Sequence, residues 1–202
     1  MMVQKIFKTQ QWECNFQKLF MHACVAVLIT FSLCLTINSS VFALEKTVTI
    51  QKGKQLPDVT MIGTNGEEVS LNTFKGKVTL LSIVPQLNTP VCDEQTHRFS
   101  EQNEGLDAFI SLVTMSTNTH TDQAKFSNEA NIDNMTFLSD APDHHFGRKT
   151  GLLLEDIAIL QRAVIVLDEH STIRYLEIVP MSQLPNFEQA YGAVRSLLAK
   201  TS

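Results

Sequence analysis

The chain has 202 residues, 44% of them hydrophobic and 18% charged, with a formal net charge of −5. That length suits one domain with a substantial core, and the balance excludes a disordered or fibrous chain. The acidic sign argues against nucleic acid or anionic lipid as the main partner.

Lys5, Lys8 and Lys18 precede an unbroken run of apolar or small residues, 24–37, whose 14 residues fall short of the roughly 20 that a bilayer span needs. Asn38-Ser39-Ser40-Val41-Phe42-Ala43 follows, with small residues Val41 and Ala43 at the −3 and −1 positions of a cut after Ala43. This is a signal-peptide pattern with a long n-region. Residues 1–43 are expected to be removed and 44–202 to form the folded domain, exported to the periplasm or secreted. An uncleaved membrane anchor or a buried helix is the competing reading. Cys14, Cys24 and Cys34 leave with the leader, so Cys92 is the only cysteine of 44–202 and no internal disulfide framework exists. Setting aside Lys5, Lys8, Lys18 and Glu13 reduces 16 basic and 21 acidic residues to 13 and 20, a formal −7.

Residues 47–51 alternate enough for a short first strand, turned by Lys52-Gly53-Lys54. Residues 58–62 and 67–71 flank Gly63-Thr64-Asn65-Gly66, and Asn-Gly is a strong hairpin signal. After a short connection at 73–77, residues 78–84 read as a strand buried on both faces, apolar apart from small hydroxyls. Pro85-Gln86-Leu87-Asn88-Thr89-Pro90-Val91-Cys92-Asp93-Glu94 comes next. A strand, a loop constrained by two prolines and then a helix place Cys92 in the first helical turn. There, unpaired backbone N–H groups and the positive end of the helix dipole favour a thiolate over a thiol. Asp93 and Glu94 complement the same helix start.

That helix is expected from 90 to about 104, with Phe99 and Leu106 facing inward. Residues 109–115 form a second β-rich run, and 121–130 a helix with Asp122 near its start and Ala124, Phe126 and Ala130 as inward contacts. A short strand at 135–138 and a short helix at 143–149, stopped near Gly151, follow. His144-His145 raises a metal, but adjacent residues point apart on most elements and no third ligand is evident, so no metal is expected. No cofactor is expected either. Residues 163–167 form another apolar run, Asp168-Glu169-His170-Ser171 a turn, and 172–179 the return strand. The last helix carries Phe187, Ala190, Tyr191, Val194, Leu197 and Leu198 on one stripe, with Asn186 as its cap, Gln189 three residues on and Lys200 near its negative end. Strands alternating with helices, then a hairpin and a helix, predict an α/β sandwich with a mixed central sheet, a thioredoxin-like fold. Cys92 then lies at the carboxyl edge of the sheet, where ligand sites of open α/β folds concentrate.

Pro85-x-x-x-Thr89-x-x-Cys92 matches the peroxiredoxin active-site pattern, and its extended form resembles the thiol peroxidase (atypical two-cysteine) branch. That branch typically has Ser and Asp where this chain has Gln86 and Asn88. Further similarity lies in Leu138-Ser139-Asp140, Phe146-Gly147 with Thr150-Gly151-Leu152, Arg162-Ala163-Val164-Ile165-Val166-Leu167-Asp168, Glu177-Ile178-Val179-Pro180 and Pro185-Asn186-Phe187-Glu188-Gln189-Ala190. The resemblance runs in order through most of residues 46–200. It implies a thiolate at Cys92 that attacks a peroxide oxygen and becomes a sulfenic acid. It also implies Arg162 as the guanidinium that favours the thiolate, Thr89 as a hydroxyl holding sulfur and peroxide, and Pro85 as a cover over the pocket. A homodimer is implied as well.

The chain departs from the branch where a resolving cysteine is usual. By the family's spacing from Ser116 that position is Ser127, and the segment usually read Asp-Leu-Pro-Phe-Ala is Asn118-Thr119-His120-Thr121-Asp122. A serine cannot condense with a sulfenic acid to make a disulfide. The expectation is therefore a one-cysteine peroxidase acting on hydrogen peroxide or alkyl hydroperoxides, reduced by an external thiol, either a thioredoxin-like protein or a small molecule. Its rival is an exported thioredoxin-fold redox sensor or binding protein with little turnover, favoured by Gln86, Asn88 and the lost resolving segment. A disulfide oxidoreductase is disfavoured by the lack of a Cys-x-x-Cys.

Overall fold

The structure is a computed structural model and describes residues 48–201. The expected leader and its expected cleavage point lie outside the described residues. Seven strands form one sheet in the order β2-β1-β5-β4-β3-β8-β9. Its centre is parallel: β3 (Thr79–Ile83) pairs with β4 (Ser111–Ser116), and β4 with β5 (Thr136–Ser139). The flanks are antiparallel. On one side β8 (Ala163–Leu167) runs against β3 and then β9 (Ile173–Ile178) against β8. On the other, β1 (Thr60–Gly63) pairs with β5 and folds back on β2 (Glu68–Ser70) through the Asn65-Gly66 turn. Gly66 has φ 85 there, a left-handed backbone that glycine adopts without steric cost. The mixed sheet is the one the order of elements predicts.

Among the described residues, four helices flank it: α1 (Pro90–Glu101), α2 (His120–Glu129), α3 (His145–Thr150) and α4 (Phe187–Thr201). Side chains alternate across β3, so the sheet has a core on each face. Leu80 and Val84 join Phe99 of α1, Phe126 of α2 and Ala190, Tyr191 and Val194 of α4 in one cluster. Leu81 and Ile83 join Phe146 of α3 and Ile50, Leu56 and Val59 of the N-terminal segment in the other. Every residue of β3 and β8 is buried, which is why both read as continuous apolar runs.

Several boundaries differ from expectation. Residues 48–51 form no strand; Thr49 instead gives its amide to the Thr150 carbonyl and its hydroxyl to the Lys149 carbonyl, tying the segment to the end of α3. Helix α1 stops at Glu101, and the chain turns through Glu104 and Gly105, both at positive φ, into a 3-10 turn at Leu106–Ala108. Phe109, expected in a strand, lies outside β4 and is 66% exposed. A two-residue pair, β6 (Leu153–Leu154) with β7 (Ile159–Leu160), was not foreseen. The caps agree with the sequence: Asn186 accepts the Gln189 amide, and Gly151 ends α3 at φ 74. Among the described residues, no helix is long and apolar enough to cross a membrane.

Candidate active site

The site forms where β3 ends. Val84 extends the parallel pairing by donating to the Met115 carbonyl, and the chain then leaves the sheet at the buried Pro85. Residues 85–89 make a tight turn in which the Gln86 carbonyl accepts both the amide (3.3 Å) and the hydroxyl (3.0 Å) of Thr89. Leu87, fully buried, anchors the turn in the same core as Cys92. Thr89 is the N-cap of α1 and Pro90 its first residue, where a missing N–H costs nothing because that donor has no helical partner. Two residues on, Cys92 sits in the first turn of the helix with none of its surface exposed. Its carbonyl accepts the Thr96 hydroxyl at 2.8 Å.

Register brings the guanidinium in. Because β8 runs antiparallel to β3 with Ile83 opposite Ala163, the residue before β8 arrives where β3 ends. That residue is Arg162, 1% exposed. Its Nη2 donates to Cys92 Sγ at 3.2 Å and to the Met181 carbonyl at 3.0 Å, and its Nη1 donates to Gln95 Oε1 at 2.7 Å. Gln95 in turn donates from Nε2 to Ser82 Oγ of β3 at 2.8 Å, so the guanidinium is braced from below through α1 onto the sheet. The Nε of Arg162 is buried without a partner. Among the described residues, no carboxylate forms an ion pair with it. A buried positive charge whose recorded partners are two neutral oxygens and one sulfur is chemically unusual. It calls for an anion, and the sulfur beside it is the group able to become one.

The structure thus places Cys92, Arg162, Pro85 and Thr89 around one turn. Thr89 carries its single hydroxyl proton toward the Gln86 carbonyl, so that proton is not aimed at the sulfur, while the oxygen lone pairs remain free to accept. Gln86 and Asn88 are both exposed, and Gln86 serves the turn through its main-chain carbonyl. Their side chains can therefore differ from the Ser and Asp of the resembled pattern without altering the turn. Ser127 lies on α2, half-buried, donating to the Ala124 carbonyl one turn back. His145 is exposed, whereas the half-buried His144 opens α3 at φ 52.

Three contributors escaped sequence reading: Gln95, Ser82 and the Met181 carbonyl. Gln95 follows Cys92 by three residues and so shares its helix face. A long amide on the face turned to the sheet was a usable signal. Ser82 is one of the small hydroxyls inside the β3 run, and nothing in the sequence marks Met181.

Comparison with known proteins gives a concordant picture. The family model described as Redoxin matches residues 51–191. A thiol peroxidase of Streptococcus pneumoniae is 40% identical over 149 residues, 73% of this chain and 91% of its own. The thiol peroxidase of Bacillus subtilis is 36% identical over 150 residues, 74% of this chain and 89% of its own. Among solved structures, a peroxiredoxin-like protein from Aquifex aeolicus superposes with a TM-score of 0.68 at 27% identity, covering 73% of this chain and 88% of its own.

Proposed function

The chain belongs to the Redoxin family, among the thiol peroxidases, and from that premise we propose that it reduces peroxides through Cys92 alone, with electrons from an external thiol. Cys92 attacks the terminal peroxide oxygen as a thiolate. The O–O bond breaks, its electron pair leaves on the other oxygen, and that oxygen takes a proton from solvent to depart as water or alcohol. The sulfur is left as a sulfenic acid, oxidised by two electrons. One external thiol then forms a mixed disulfide with Cys92 and releases water. A second thiol breaks that bond, restoring Cys92 and leaving the reductant as its disulfide.

The observation that carries this reading is Arg162 Nη2 at 3.2 Å from Cys92 Sγ, with both residues buried. A guanidinium stays charged and donates in a fixed fork, so it compensates the thiolate and then the charge growing on the leaving oxygen. The helix start adds its own partial positive charge. In this reading Pro85 covers the sulfur and limits access of water, and the Thr89 oxygen accepts the proton of an incoming hydroperoxide. Both hydrogen peroxide and alkyl hydroperoxides fit this chemistry. The external reductant follows from Ser127 and from Cys92 being the one cysteine of residues 44–202. A small thiol or a thioredoxin-like protein would serve, outside the cytoplasm if the leader exports the chain.

Steady-state peroxide consumption with added thiols, with Cys92→Ser as control, tests the proposal. Many equivalents consumed per chain, together with a trapped sulfenic acid at Cys92, are expected. Consumption of about one equivalent would instead identify a redox sensor, and an unmodified Cys92 would reject both.

A further inference from the structure

The loop after β4 holds the catalytic turn from outside it. Two of its side chains reach across to residues 85–89. Asn118 Oδ1 accepts the Leu87 amide at 2.9 Å, and the Thr117 hydroxyl donates to the Pro85 carbonyl at 3.4 Å. The orientation of the Asn118 amide is forced, because a backbone N–H only donates and must face the carbonyl oxygen. The same oxygen takes the Ser116 hydroxyl at 3.1 Å.

The main chain of Asn118 is itself held by two hydroxyls. Its main-chain N–H donates to Ser116 Oγ at 3.2 Å, and its main-chain carbonyl accepts the Ser139 hydroxyl at 2.6 Å. Ser116 Oγ also receives Nε2 of Gln123, a wholly buried residue of α2 that donates to the Leu138 carbonyl as well. Strand ends of β4 and β5 and the first turns of α2 therefore share one polar frame, and Asn118 is the member that touches the catalytic turn. Leu87 has a buried side chain and an amide that no strand or helix satisfies, so without Asn118 that amide is left unpaired or the turn shifts to find water.

We propose that Asn118 is a positioning residue for Cys92: its side-chain carbonyl sets the 85–89 turn, and with it the Thr89 cap and the sulfur one helical turn away. The proposal rests on the peroxidase reading of the site. It also gives a role to a residue in the segment that departs from the resembled family. Asn118→Ala removes the acceptor, whereas Asn118→Asp keeps an oxygen in the same place and should rescue. The measurement is the second-order rate of Cys92 sulfenic acid formation by hydrogen peroxide, read by mass spectrometry after rapid quenching. It is accompanied by the KM for peroxide, kcat and the thermal midpoint.

A misplacement of about 1 Å in a reacting group costs on the order of a hundredfold, so Asn118→Ala is expected to lose about tenfold to a hundredfold in oxidation rate. The loss should fall on kcat with KM little changed, and Asn118→Asp should stay within about threefold of wild type. Wild-type rate in Asn118→Ala, or equal losses in both variants, overturns the assignment. The peroxidase reading fails separately, by absence of sulfenic acid at Cys92 in the wild-type protein.

Discussion

At the scale of single residues, the site depends on one buried charge and what surrounds it. Arg162→Met removes the guanidinium while keeping most of its volume. Replacing a buried charge by an apolar side chain is often neutral for folding, but here it also leaves Gln95 and the Met181 carbonyl without a donor. The thermal midpoint should therefore move modestly. Cys92 oxidation should slow by roughly a hundredfold to a thousandfold, the usual cost of losing one donor to a developing anion. A stopped-flow or quenched-flow oxidation rate, set beside a melting curve, checks both parts at once. Gln95→Leu should show the opposite balance. It strands Ser82 Oγ and Arg162 Nη1 in a closed core, costing about 1–3 kcal/mol in stability, while Arg162 keeps its direct bond to the sulfur. Denaturant midpoints for Gln95→Leu and wild type measure that cost, and an unchanged midpoint would show that the Ser82–Gln95 brace contributes nothing. This division follows what the sequence could reveal. Pro85, Thr89 and Cys92 stand in one contiguous motif and are readable from it, and Arg162 is reached through resemblance. Gln95, Ser82 and Asn118 matter only through helix phase and strand register, which place their side chains where spacing along the chain does not.

Elements fixed by their own pattern were readable, and those fixed by a partner were not. Strands β3 and β8 are buried on both faces, so nearly every side chain is apolar and the runs stand out. The α4 stripe faces one core, and its Asn186 cap follows from local chemistry alone. Residues 48–51 look like a strand, yet Thr49 bonds to the end of α3, and it is residues 53–56 that run beside the start of β9. Strands β6 and β7, at two residues each, are too short to carry a period. Caps and turns of this kind also give measurable stability. Asn186→Ala removes the acceptor for the Gln189 amide and should cost about 1 kcal/mol, read as a lower denaturant midpoint. The β8–β9 turn is held by Asp168, whose Oδ1 accepts the His170 and Thr172 amides at 2.9 Å each and whose Oδ2 takes Arg174 Nε at 2.7 Å. Burial alone would raise its pKa, but the Thr172 amide, Arg174 and the His170 amide together outweigh it and hold the carboxyl below the ordinary aspartate value. A native pKa below the unfolded one means that the carboxylate stabilises the fold above the ordinary aspartate range, and that this is lost as pH falls through the native value. Asp168→Asn should therefore be less stable by roughly 1–2 kcal/mol near neutral pH. Melting curves of the two proteins should converge under strongly acid conditions, and a constant gap at every pH would contradict the charge argument.

For the whole molecule, export and mechanism are one question. The proposed one-cysteine cycle applies to residues 44–202, where Cys92 is alone, but the full chain also carries Cys14, Cys24 and Cys34. If the leader stayed attached, three further thiols would travel with the site, any of which is chemically able to condense with a sulfenic acid. Removal of residues 1–43 would take them away and leave a Cys92 sulfenic acid dependent on a thiol from outside. On the proposed cycle that thiol has to reach a sulfur with no exposed surface, so the structure around Cys92 would have to move at the reductive step. Two linked results are expected. Intact-mass and N-terminal peptide measurements on protein recovered from the producing cell's envelope or medium should give a chain beginning at Leu44. The same material, treated with peroxide in the absence of added thiol, should stop after one equivalent without forming an intrachain disulfide, and should resume when a thiol is supplied. Recovery of Met1 on the exported protein, with a disulfide from Cys92 to one of the leader cysteines, would overturn both the cleavage and the one-cysteine cycle.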